Sequence, residues 1–358
     1  MKKRWIVLIV VVLLIAGLAV YTFFDWGPDE MPTRNLTASE RQTVDAAFNT
    51  DRLVVSTEAV YLALVGGDDV IVVGVINPVE ALVPLSAASY NIPGAQLVWR
   101  PDYSAGGSAE AISPAITGVR RSVSEMEALL SRADVTADSR IVVYAAGAMH
   151  DAARFVWQMR MLGHDNVWYM DGGMNAWIAG DRTTGSGTRM ADNDIRSSFT
   201  AQNYDPASFD ATIYDVIHAL QNPDEWVVID TRARAEFDGE QTGSSAGAFG
   251  TGRIAGSVFI PWNAAVDPDT QLLRSQQEIE ELFLDAIAGR NVIVYCQSGV
   301  RSAHTWLVLT EILGLDNVWN YDGSWIEWSY AASSFGTFAQ RDLVLSLTEE
   351  WSDNNGAI

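Results

Sequence analysis

Cysteine is nearly absent from this chain: Cys296 is the only one in 358 residues. An internal disulfide is therefore excluded, and so is any cysteine-rich metal site. Histidine is scarce too, with four in the chain and no cluster at ligand spacing, so no metal site is expected. No lysine occurs after Lys3, and every later basic residue is arginine. With 23 basic against 45 acidic residues the net charge is −22, which makes nucleic acid and anionic lipid surfaces poor partners. An acidic surface without lysine suits a salty environment.

Charge is also missing from residues 5–24, which follow the basic start Met1-Lys-Lys-Arg4. Twenty uncharged residues can span a bilayer as a helix, and the basic flank predicts a cytoplasmic N-terminus. A cleaved signal peptide is the rival reading, since Gly17-Leu-Ala19 is a weak small-residue cleavage site; the apolar run continuing through Phe24 favours an uncleaved anchor. Either way the rest of the chain is expected outside the cytoplasm, membrane-anchored or released after cleavage. Residues 1–30 form this anchor or signal segment, and the polar stretch to residue 50 reads as a tether.

The stretch Val292-Ile-Val-Tyr-Cys296-Gln-Ser-Gly-Val-Arg301-Ser302 organises the chain. Its apolar start reads as a buried strand, and Trp306, Leu309, Ile312 and Leu313 recur at helical spacing up to Gly314. The lone thiol thus sits between a strand end and a helix N-terminus, where free N–H groups and the helix dipole favour an anion. A thiol there is expected to have a lowered pKa and to be a thiolate near neutral pH. The alternative is a small buried cysteine that merely packs. Gly299, which lets the backbone curl around a ligand, and the charge of Arg301 argue against it.

The two halves of the chain repeat. Val143-Tyr-Ala145 matches Val294-Tyr-Cys296; Leu162-Gly-His-Asp-Asn-Val-Trp168 matches Leu313-Gly-Leu-Asp-Asn-Val-Trp319; Asp171-Gly-Gly173 matches Asp322-Gly-Ser324. All lie at one offset without a gap, so the chain is a duplicated α/β unit. Strands at residues 70–75, 141–144 and 226–229 alternate with helical segments, which indicates a parallel sheet flanked by helices in each copy. The copies span residues 50–188 and 207–345, with a linker at 191–206. Cys296 corresponds to Ala145, Arg301 to His150, and Asp230 and Arg232 to Gly74 and Ile76. A methyl group is no nucleophile, so the first copy is expected to be catalytically silent. Residues 238–252 read as a mobile Gly/Ser-rich loop, and residues 341–351 as a helix.

Cys296-x4-Arg301, with Asp230-x-Arg232 upstream and Asp322-Gly-Ser-Trp325-x-x-Trp328 downstream, resembles the two-domain rhodanese sulfurtransferases. The loop is one residue tighter than the Cys-x5-Arg loop of cysteine phosphatases. The resemblance implies two tandem rhodanese-like domains, the second catalytic, and a double displacement in which Cys296 becomes a persulfide. It further implies a small anionic sulfur donor held by Arg301, a thiophilic acceptor such as cyanide, a thiol or sulfite, and no cofactor. Gln297, Ser298, Gly299, Val300 and Ser302 would line the donor pocket. Asp230 and Arg232 either tune that pocket or form an internal ion pair that steadies the loop. Thiosulfate is the expected donor, 3-mercaptopyruvate the alternative; a thiol or persulfide sensor and a dead binding module are the non-catalytic readings. Trp325 and Trp328 are expected in the core, Asp322 ordering a turn, and His304 on the surface or satisfied. Gly252-Arg-Ile-Ala-Gly-Ser257 resembles a family segment that begins Gly-His, so Arg253 stands where a histidine is usual.

Overall fold

The computed structural model describes residues 6–13, 18–25, 30–50, 52–76, 91–104, 112–240, 247–334 and 336–353. Two parallel sheets dominate. In the first, six strands run in the order Val54–Val55, Val167–Met170, Ile141–Ala145, Ile71–Ile76, Ala95–Trp99 and Gly187–Arg189. The second has five, Asp210–Ala211, Val318–Tyr321, Asn291–Tyr295, Trp226–Asp230 and Val258–Phe259. The first five strands of one sheet thus repeat the order of the other, as the duplicated sequence requires. Register agrees as well. Asp230 pairs with Tyr295, and Gly74 with Tyr144, so Gly74 stands where the second copy has Asp230.

The central strands are β-branched and almost wholly buried, which is how a parallel sheet covered on both faces reads in sequence. The helices Met149–Met161 and Val300–Glu311, each after the central strand of its copy, supply buried residues to a single apolar cluster. That cluster joins the two copies. Trp157 donates to the Phe209 carbonyl at 3.1 Å, and Glu311 accepts from Leu53 N–H at 2.7 Å, so polar bonds also cross between them. Residues 191–206 contain only parts of two 3₁₀ turns, Met190–Asp192 and Pro206–Ser208, and lie on the first copy, Arg196 and Ser197 N–H both bonding the Ser131 carbonyl.

Three expectations need correction. Residues 5–24 were expected as a membrane helix, but Ile6–Leu13 and Leu18–Asp25 pair as antiparallel strands, Ile6 opposite Asp25 and Leu13 opposite Leu18. The run is rich in valine and isoleucine, whose β-branching favours the extended chain. Among the described residues no helix is long and apolar enough to cross a membrane. The second correction is at the C-terminal end. The helix stops at Ser346, and Thr348–Asp353 forms a strand antiparallel to Gly250–Ile254. Trp351, lying against Trp325 at 6.2 Å, anchors that strand. Third, the same pairing takes the end of the expected loop at 238–252 into a sheet; residues 241–246 lie outside the described residues. Arg253 secures this ribbon, bonding Glu349 at 2.8 Å and the Phe237 carbonyl at 3.1 Å.

Candidate active site

Cys296 leaves the strand Asn291–Tyr295, and the helix Val300–Glu311 begins directly after Gly299, whose φ is +73°. A Cβ at Gly299 would lie 2.7 Å from Asp322 Oδ1 and 2.9 Å from Arg154 Nη1. Only glycine meets both the left-handed backbone and this close approach. The strand–loop–helix expected from sequence is therefore present, and the thiol is completely buried.

Ser324 grips the loop. Its hydroxyl accepts from Cys296 N–H at 3.1 Å and Gly299 N–H at 3.0 Å while donating to the Tyr321 carbonyl at 2.6 Å. The next two amides, Trp325 and Ile326, donate to the Cys296 and Gln297 carbonyls, both at 3.1 Å. Asn320 and Arg154 hold the Gly299 carbonyl at 3.0 and 3.3 Å, and Arg154 belongs to the first copy. Asp322 does more than order its turn: it pairs with Arg154 and accepts from Arg120 N–H at 2.9 Å, tying the first copy to the loop. The first copy also covers the loop, since a Cβ on Gly118 would lie 3.0 Å from that of Ser298.

Around the sulfur, Ser302 Oγ stands 3.5 Å away as a donor. Burial pushes the thiol pKa up, but the Arg301 charge, the Ser302 hydroxyl and N–H, and the Ser298 N–H outweigh it, so the pKa lies below the ordinary thiol value. Arg301 is held by a residue that the sequence motifs did not single out. Its Nη1 and Nη2 donate to Glu236 at 2.7 and 2.8 Å, and the Glu236 side chain is only 3% exposed. Burial opposes ionisation of Glu236, but the bond and charge of Arg301 and the Ala233 N–H still keep its pKa below the usual value. Glu236 lies four residues beyond Arg232, in the short helix Arg234–Phe237, and no sequence motif marked it.

Asp230 and Arg232 are wholly buried and form an ion pair, Nη2 to Oδ2 at 2.7 Å. Tyr295 donates to Asp230 at 2.6 Å and Arg232 to the Gly252 carbonyl at 2.9 Å, so this pair braces the strand beneath the loop. Gln297 is buried with both amide atoms unpartnered, and Val300 packs in the interior. Trp325 and Trp328 are core residues as expected. His304 is neither exposed nor satisfied: it is buried, both ring nitrogens lack a partner, and burial lowers its pKa to about 3. Its ring lies 5.2 Å from Trp262, with His150 4.5 Å from the same indole. Among the described residues no group of three or more His, Cys, Asp or Glu could hold a metal ion.

The profile of the rhodanese-like domain matches the chain twice, over residues 77–180 and 214–331, and the chain belongs to the rhodanese family. Within that family its relatives make it a tandem-domain sulfurtransferase. It is 32% identical over 214 residues to a thiosulfate sulfurtransferase of Corynebacterium glutamicum, a match covering 56% of this chain and 66% of that one. It is 31% identical over 253 residues to the sulfur carrier protein TtuD of Thermus thermophilus, covering 66% of this chain and 82% of that. The fold matches the crystal structure of SseA from Escherichia coli, described as a 3-mercaptopyruvate sulfotransferase. The TM-score is 0.61 at 22% identity, over 77% of this chain and 99% of that one.

Proposed function

We propose that Cys296 carries the transferred sulfur, that Arg301 binds the donor, and that the donor is thiosulfate. In the first step the Cys296 thiolate attacks the outer sulfur of thiosulfate. A sulfur–sulfur bond forms, the bond to the sulfonate breaks with its electron pair, and sulfite leaves. In the second step a thiophilic acceptor (cyanide, a thiol or sulfite) attacks the outer sulfur of the persulfide and regenerates the thiolate. The lowered thiol pKa raises the share of thiolate, so a loop of N–H donors and a nearby guanidinium support the nucleophile without a separate general base. The observation that carries this reading is the Cys296 thiol, depressed by Arg301 and Ser302 at the start of a helix.

Two of the Arg301 N–H groups are taken by Glu236, leaving the other edge of the guanidinium for a sulfonate. The unpartnered Gln297 amide and the Ser298 and Ser302 hydroxyls are further donors for it, with Gly299 and Val300 shaping the loop. The Ala145 methyl makes the first copy silent, and that copy serves to roof the second. In a chain of such negative charge the free edge of Arg301, although the guanidinium is paired with Glu236, offers a dianion a cationic contact beside the thiol. Steady-state kinetics with both donors test the choice. Thiosulfate should have the higher kcat/KM, and a preference for 3-mercaptopyruvate would reassign the donor.

For the location, we propose that the folded domains lie outside the cytoplasm, delivered by residues 5–24. The support is the uncharged stretch behind the basic Met1-Lys-Lys-Arg4. Protease added to intact spheroplasts should digest the domains. Protection equal to that of a cytoplasmic marker would refute this.

A further inference from the structure

Behind the cysteine loop lies a cavity of about 580 Å³ that the sulfur-transfer chemistry does not use. It runs along the face of the second sheet that carries Ile293 and Trp319, and ends at Asp322 and Gly323. Cys296 does not line it. The volume is that of a small-molecule site. Its wall includes two indoles, Trp226 and Trp319, with centroids 5.4 Å apart.

The charges at its rim are of one sign once internal pairs are set aside. Arg120 bonds Asp210 at 3.2 Å, and Asp322 is paired with Arg154. That leaves Asp215, exposed on the lining, and Glu327, whose burial raises its pKa and which accepts from Ile112 N–H at 3.2 Å, without an arginine partner among the described residues. Asp210 faces Asp322 as well as Arg120, and burial with that neighbour raises its pKa to about 7. An anion would find no unpaired cation here, whereas a cation would meet indole faces and carboxylates.

The end wall and the cysteine loop share one short segment. Asp322 N–H donates to Asp210 at 3.2 Å, inside the cavity wall. Two residues on, Ser324 holds Cys296 N–H and Gly299 N–H, and Asp322 itself positions the Arg154 that bonds the Gly299 carbonyl. A molecule pressed against Asp322 and Gly323 therefore pushes on the clamp of the loop. We propose that this cavity is a second binding site, for a small organic cation with an apolar body, and that its occupancy alters the reactivity of Cys296.

Benzyltrimethylammonium, whose charge is permanent, is a suitable probe for calorimetric titration into the full chain, with phenylacetate as the matched anion. Saturable one-to-one binding of the cation is expected, and none of the anion. Trp319→Leu, at a partly exposed site, should weaken binding about tenfold, the scale of a desolvated cation–π contact. Asp215→Asn, at an exposed position of the lining, should weaken it too, and Trp319→Leu keeps the test open if that variant misfolds. The second readout is the rate of Cys296 alkylation by iodoacetamide, which should change severalfold at saturating cation. Alkylation needs no sulfur donor, so its outcome is separate from that of the transfer reaction. Absence of saturable binding, equal binding of phenylacetate, affinity unmoved in Trp319→Leu, or an unchanged alkylation rate would each overturn the proposal.

Discussion

Cys296→Ser should abolish sulfur transfer while leaving the fold intact. The side chain of Cys296 is held by the Ser302 hydroxyl and by the Ser302 and Ser298 N–H groups, while its backbone N–H and carbonyl are held by Ser324 and Trp325. A serine keeps the backbone bonds and nearly the same volume. It loses the thiolate, the polarisable nucleophile and the only thiol in the chain. The expected fall in kcat is about 1,000-fold or more, with an unchanged unfolding midpoint. Thiosulfate–cyanide turnover together with thermal denaturation measures both. Residual transfer above a few per cent of wild type would show that another group carries the sulfur.

Arg301→Ala should have the next largest effect, and by two routes. A charge-assisted hydrogen bond to the donor is worth roughly 1.5–3 kcal/mol, so kcat/KM for thiosulfate should fall about 10- to 100-fold. The second route runs through Glu236, which loses its cation while remaining buried. An unpaired carboxylate then stands near the thiol in place of an ion pair, so the Cys296 pKa should rise. The pH profile of iodoacetamide alkylation should move upward accordingly, since less thiolate is present at any pH below the new value. Stability should also drop, by about 2 kcal/mol, because a buried charge has lost its partner. Adding Glu236→Gln to Arg301→Ala separates the routes: stability should recover, and thiosulfate kinetics should not. Undiminished thiosulfate activity in Arg301→Ala would remove Arg301 from the donor site.

Legibility in the sequence tracks the range of the interactions involved. The strand, the Cys296 loop and the helix behind it are contiguous in the chain, so apolar spacing and Gly299 placed them. Duplication was equally legible, because Leu313-Gly-Leu-Asp-Asn-Val-Trp319 is a near copy of an earlier segment, and the matching strand orders bear it out. Asp230 and Arg232, two residues apart, form the internal pair that their spacing allowed. Contacts that close between the copies left no such trace. Arg154 reaches the Gly299 carbonyl from the other domain, and no local pattern marks it as part of the cysteine loop's support. His304, on the helix just past the loop, was expected on the surface or satisfied, yet Tyr169 of the other copy and Trp262 pack against it, and it is buried without a partner for its ring nitrogens. The C-terminal strand was missed for a related reason: Thr348–Asp353 gains its hydrogen bonds from Gly250–Ile254, almost a hundred residues away in the chain. The N-terminal run shows the opposite failure, where length suggested a helix and β-branching favoured strands.

The central claim is that sulfur passes through a persulfide on Cys296. Incubation of the purified protein with thiosulfate, then intact-mass and peptide mass spectrometry, addresses it directly. A gain of about 32 Da, one sulfur atom, is expected on the peptide that contains Cys296, reversed on addition of cyanide. A protein that turns over thiosulfate with Cys296 unmodified throughout would contradict the mechanism.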